Sequence, residues 1–209
     1  MKSRRKNNIK KYIIVLGLFF VFVSLTIFTC YLIYNFKINY KEKQSINYYL
    51  NNSIVPVNKV EQVSKDNNTK DIIDYVAVLE IPIINLRRGL VDINSKDNNV
   101  NKNIEILKES SMPNVVNGIL MLASHSGWGA TAYFSKLDKL KVNDNIYVYY
   151  GNKKYTYQIM NTYVVKKTGT ISIQKEPLKT QLALITCSNY NDTEQLVVMA
   201  DLINSENYS

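Results

Sequence analysis

The chain's one histidine, His125, and one of its two cysteines, Cys187, each terminate an apolar run. His125 follows "GILMLAS" (Gly118–Ser124) and Cys187 follows "LALIT" (Leu182–Thr186). Short, almost continuously apolar runs read as buried central strands. If the two strands run parallel as neighbours, both side chains emerge at one rim of the sheet. A thiolate is a nucleophile, and a nearby imidazolium lowers a thiol pKa from about 8.5 into a working range. Taken singly, His125 in "SHSGWG" reads as a surface-loop histidine and Cys187 as a small buried hydrophobe. The shared position at strand ends favours a nucleophile–base pair. One histidine and one cysteine fall short of the three or four ligands zinc takes, so no metal site is expected.

The charge pattern places this pair outside a cell. The net charge is +9, and Lys2, Arg4, Arg5, Lys6, Lys10 and Lys11 supply +6 of it, leaving +3 (9 − 6) for the rest. No basic stripe with interleaved aromatics is present, which argues against a nucleic-acid partner. "YIIVLGLFFVFVSLTIFTCYLIYNF" (Tyr12–Phe36) is 25 residues without a charge, enough to span a bilayer. It exceeds the about 7–15 residues of a signal-peptide core. It also ends in Tyr31, Tyr34 and Phe36, an aromatic belt more than a cleavage site. The expectation is one uncleaved anchor with a cytoplasmic N-terminus. The organisation is then a basic tail over 1–11, a transmembrane helix over 12–36, a stalk over 37–72 and a folded domain over 73–205. The stalk reads as helical near Lys41–Leu50 and flexible near Ser64–Lys70. Cys30 falls inside the membrane span, so Cys187 is the lone exported thiol, with no partner for a structural disulfide.

The folded part reads as all-β with short helices. "DYVAVLEIPIINLRRGLVD" gives two short strands broken at Pro82. Asn98–Lys108 suggests a short helix, and Phe134, Leu137 and Leu140 recur at helical spacing. A hairpin turns at Gly151-Asn152, and further strands are expected near Ile171–Ile173, Leu182–Thr186 and Gln195–Ile203. Short strands at close intervals favour a barrel or sandwich.

Several of these segments carry a family resemblance. "LALITC", a polar loop and "QLVVMADL", preceded about 60 residues upstream by "LMLASHS", resemble the sortase family. "AYFSKLDKLKVNDNIYVYY" is similar to the segment after the sortase histidine, and "VAVLEIPIINL" to the opening strand pair. The resemblance covers about Tyr75 to Ile203. It implies an eight-stranded β-barrel and a cysteine transpeptidase that cleaves an LPXTG-like sorting signal of an exported protein. Cys187 would form the thioester and His125 would serve as acid and then base. The acceptor would be an amine of a peptidoglycan precursor or a pilin.

One family residue is missing. Sortases carry an arginine on the strand after the cysteine loop, and Gln195 stands there. Arg4 and Arg5 lie in the tail, and Arg87 and Arg88 on the second strand. Three explanations compete: Gln195 donates a neutral hydrogen bond, a lysine reaches in, or chemistry is lost and an extracellular binding module remains. Ser124 stands where the family often has glycine, and Thr186 matches the family pattern before the cysteine. Trp128 is either loop packing or a wall of the peptide groove. Asp201 and Glu80 read as solvated charges near strand ends. No cofactor is expected, and calcium modulation would rest on Glu105 and Glu109 at best. An L,D-transpeptidase is a weaker alternative. That family holds its histidine and cysteine in one motif, whereas 62 residues separate them here (187 − 125).

Overall fold

The two strands that carry His125 and Cys187 are neighbours and run parallel, in an eight-stranded sheet curled into a barrel. The computed structural model describes residues 2–52, 72–169 and 171–208. Its elements in chain order are α1 (Lys2–Asn52), β1 (Ala77–Ile81), β2 (Leu86–Leu90), β3 (Glu105–Ile106), β4 (Ile119–Ala123), β5 (Asn145–Tyr150), β6 (Lys153–Lys166), β7 (Gln181–Cys187) and β8 (Glu194–Asn207). The sheet order is β2-β1-β5-β6-β8-β7-β4-β3. Every adjacent pair is antiparallel except β4 and β7.

Two compact units divide the chain, Met1–Lys43 and Gln44–Ser209. The first holds α1 as far as Lys43, and the helix from Ile14 onward is long and apolar enough, by length and composition, to cross a membrane. The second includes the last turns of α1. There Ile46 is buried against Tyr75, Val78 and Val91, Tyr49 donates to the Val76 carbonyl at 2.8 Å, and the Ile73 amide donates to Ser45 Oγ at 3.0 Å. The expected flexible stretch Ser64–Lys70 lies outside the described residues.

Alternating residues on each strand split the apolar surface into two layers. The barrel interior holds Leu79, Ile81, Leu120, Leu122, Phe134, Tyr157, Leu184 and Val198. An outer layer on β4, β7 and β8 holds Ile119, Ala183, Ile185, Val197 and Met199, with Ile171 and Ile173 packed over it. The long β6–β8 pair is not uniform. Ile159 faces Ala200 and Asn161 faces Met199, so Met160 is an extra residue in β6. A one-residue bulge exchanges the faces of everything beyond it. Before it, Tyr155, Tyr157 and Ile159 point into the interior; after it, Tyr163 and Val165 join the outer layer.

Three sequence expectations need correction. Asn98–Lys108 is not a helix but turns leading into β3. The Asn98 side chain bonds the backbone instead, accepting from the Ile106 amide at 2.7 Å and donating to the carbonyls of Ile106 at 2.9 Å and Ile93 at 3.1 Å. Such local side-chain bonds compete with helix hydrogen bonding. Ile171–Ile173 is irregular, because β7 is already flanked by β4 and β8 and offers no free edge. Asp201 and Glu80 are paired, Asp201 buried and Glu80 half-buried, and not free charges in solvent. Asp201 is 8% exposed, accepting from Gln181 Nε2 at 2.8 Å and pairing with Lys179 Nζ at 2.7 Å. Glu80 accepts from the Tyr149 hydroxyl at 2.9 Å and lies 3.7 Å from Arg87. Burial first, and then this bond to Glu80, pushes the Tyr149 hydroxyl up to about 12.

Candidate active site

The parallel β4–β7 register ends at Ala123 opposite Ile185. Two further contacts extend the pairing to the rim. The Ser124 amide donates to the Ile185 carbonyl at 3.2 Å, and Thr186 Oγ1 donates to the Ser124 carbonyl at 2.8 Å. Ser124 and Thr186 are both buried, each 4% exposed. They therefore act as a fastener one residue below the rim, not as exposed substrate contacts. His125 and Cys187 follow directly, each two residues past the last paired row and each partly exposed.

His125 is held from two sides. Its carbonyl accepts from the amide of Phe134, a fully buried residue, which closes the loop between them. Its ring Nε2 lies 3.1 Å from Asn101 Oδ1. A hydrogen bond donated by Nε2 to this oxygen leaves Nδ1 free to exchange a proton. The sequence reading missed Asn101. It is one of four asparagines between positions 98 and 103, and only the fold distinguishes it.

Cys187 is a free, partly exposed thiol. Gln195 lies directly opposite it on β8. The next bond, from the Ser188 amide to the Glu194 carbonyl at 2.9 Å, makes Cys187 and Gln195 a non-hydrogen-bonded pair. In such pairs the side chains share a face and lie close, with Cα atoms about 4.5 Å apart. Among the described residues the Gln195 side-chain amide makes no hydrogen bond, so it is free to donate. The Lys167 ammonium, just past the end of β6, lies 3.6 Å from Cys187 Sγ. The sequence reading did not name this residue.

The cysteine loop is tethered to the segment after His125. Asn189 Nδ2 donates to the Ser135 carbonyl at 3.0 Å, and the Tyr190 hydroxyl donates to Asp138 at 3.2 Å. Trp128 stands fully in solvent between Gly127 and Gly129, which excludes loop packing as its role. Arg87 pairs with Glu80, and the Arg88 guanidinium lies 4.3 Å over the Tyr133 ring. Glu105 accepts from the Val100 amide at 3.3 Å, and no group of three metal-ligating side chains occurs among the described residues. The outer apolar layer runs along β7 toward Cys187 and is covered by Ile171 and Ile173.

A family model described as a sortase domain matches residues 79–203. The chain belongs to the sortase family. Sortases are cysteine transpeptidases, and the eight-stranded barrel is theirs. Sortase A of Streptococcus agalactiae serotype III (strain NEM316) is 34% identical over 92 residues, which span 42% of this chain and 37% of that protein. The crystal structure of sortase C1 from Streptococcus agalactiae superposes with a TM-score of 0.55 at 27% identity, covering 69% of this chain and 79% of that one. A Clostridium perfringens sortase D5 transpeptidase shares the fold with a TM-score of 0.58 at 21% identity, covering 78% of this chain and 99% of its own. Streptococcus pneumoniae sortase C, whose structure was described in terms of pilin substrate specificity, gives a TM-score of 0.57 at 22% identity, covering 70% of this chain and 77% of that one.

Proposed function

We propose that this sortase is a membrane-anchored transpeptidase that cleaves an LPXTG-like sorting signal through a Cys187 thioester and passes the acyl group to an amine. The observation that carries the reading is the parallel β4–β7 pair, clamped by the Thr186–Ser124 bond, which ends in Cys187 on one strand and His125 on the other.

The steps balance with these two side chains. The Cys187 thiol first passes its proton to the His125 imidazole, giving a thiolate and an imidazolium. Sγ attacks the threonine carbonyl carbon, and the carbonyl π pair moves onto oxygen. The oxyanion collapses, the C–N bond breaks, and the departing amine takes the proton from His125. The acceptor amine then gives a proton to the neutral imidazole as it attacks the thioester. Collapse releases Sγ as thiolate, so the starting charges are restored. Gln195 is suited to donate a neutral hydrogen bond beside the reacting carbonyl, and Trp128 is suited to contact the peptide from its exposed loop.

The apolar Tyr12–Phe36 segment and the six cations before it support an anchor with its N-terminus in the cytoplasm. The catalytic domain then works on the outer face of a Gram-positive membrane. The acceptor is an amine of a peptidoglycan precursor or a pilin, the latter supported by likeness to sortase C structures.

A second reading, an extracellular binding module without chemistry, is favoured only by the neutral side chain at position 195. A covalent adduct separates the two. Full-length protein in detergent micelles is incubated with a vinyl-sulfone sorting peptide and its intact mass is measured. One adduct on Cys187, lost in Cys187→Ala and His125→Ala, is expected of the transpeptidase. No adduct at any pH from 5 to 9 would establish the binding module.

A further inference from the structure

We propose that Lys167 is a catalytic residue of this site. It supplies from β6 the positive charge that the family places on the arginine of β8. This rests on the transpeptidase reading for its catalytic half, but not for its effect on the thiol. The Lys167 ammonium is 3.6 Å from Cys187 Sγ, and among the described residues it has no carboxylate partner.

The fold explains why this lysine faces the thiol. In β6, Val165 lies opposite Gln195, which lies opposite Cys187, so the three share one face. Lys167 is two residues past Val165 and keeps that face. Its backbone is pinned by the bond from its amide to the Thr193 carbonyl at 2.8 Å. The bulge at Met160 sets this phase. Without it, Lys166 would face Cys187, whereas in the fold Lys166 lies opposite Glu194 on the other face.

A cation at this distance favours thiolate over thiol. It also serves the next step. The oxyanion is two bonds from Sγ, so a donor 3.6 Å from Sγ can come within about 3 Å of it. Lysine brings three rotatable donors on a point charge, without the planar fork of arginine. The division of labour is then charge from Lys167 and a directed amide from Gln195. The titratable residues nearest in the chain and in strand register are His125 after β4, Lys166 at the end of β6, Asp192 in the loop before β8 and Glu194 at its start.

The test uses full-length protein in detergent micelles and two readouts. The first is the rate of Cys187 alkylation by iodoacetamide at pH 7, read by intact mass, with no peptide present. Lys167→Met should slow alkylation about tenfold, and Lys167→Arg should keep most of the wild-type rate. The second is turnover of a fluorogenic sorting peptide. Lys167→Met should lose about 10²–10³ in kcat, and Lys167→Met with Gln195→Arg should recover most of it. An unchanged alkylation rate in Lys167→Met overturns the assignment. So does a hydroxylamine-stable peptide adduct on Lys167, which would make it an acceptor amine and not a held cation. A wild type with Lys167-dependent alkylation but no peptide cleavage overturns the transpeptidase reading and leaves the lysine's hold on the thiolate standing.

Discussion

Thr186 Oγ1 donates to the Ser124 carbonyl across the parallel β4–β7 pair at 2.8 Å, one residue before the thiol on one strand and the imidazole on the other. Both residues are buried, so the bond has no water to replace it. Thr186→Val keeps the shape and leaves the carbonyl unpaired. It should cost about 1–3 kcal/mol of stability, measured by urea unfolding. Thr186→Ser should restore most of the loss.

Asn101 orients His125 from the turn before β3. Asn101→Ala should lower kcat about tenfold with KM unchanged, against about 10²–10⁴ for His125→Ala. Asn101→Asp keeps an acceptor oxygen in the same place and should retain more of the rate than Asn101→Ala, measured with a fluorogenic sorting peptide.

Lys179 joins two carboxylates, Asp201 at 2.7 Å and Glu176 at 2.8 Å, and ties the end of the β6–β7 connection to β8. The hydrogen bond to Asp201, and next that to Glu176, raises the Lys179 pKa above the usual lysine range. The stabilisation is complete below about pH 10.4, the unfolded lysine's midpoint, and is lost as pH rises through the higher folded value. Lys179→Met should therefore lower Tm at pH 8, and its gap to wild type should close above that window.

Tyr157 is fully buried, and among the described residues its hydroxyl has no hydrogen-bond partner. Burial holds its pKa well above the ordinary tyrosine value. Tyr157→Phe removes an unpaired polar group and keeps the ring. It should raise stability by about 1 kcal/mol in urea unfolding, with no change in peptide turnover.

What the sequence disclosed followed patterns that survive folding. Apolar runs with a period of two or none gave β1, β4, β5, β7 and most of β8, and the strand ends carried His125 and Cys187 to one rim. The two-residue β3 escaped notice because Asn98 fixes it through side-chain bonds that leave no periodic trace. Ile171 and Ile173 looked like a strand because they are apolar at alternate positions. They are apolar to cover the outer layer, not to pair. Asn101 and Lys167 were illegible for a common reason. Each reaches the site through a long-range register, and the lysine's register depends on a single extra residue, Met160. Nothing in the composition of "YQIMNTYVV" marks that residue as a bulge.

Among the described residues the only parallel pairing joins segments 62 positions apart in the chain. Closing so long a loop is entropically slow compared with forming a hairpin such as β5–β6. Local hairpins can therefore form while thiol and imidazole are still strangers, and the reactive pair exists only once β4 and β7 have met. Cys187 reactivity toward iodoacetamide should accordingly appear in refolding after the β5–β6 hairpin has formed. Under the function proposed above, a newly exported chain would carry a dormant nucleophile until that long-range pairing closes, and only then acquire the power to cut and join.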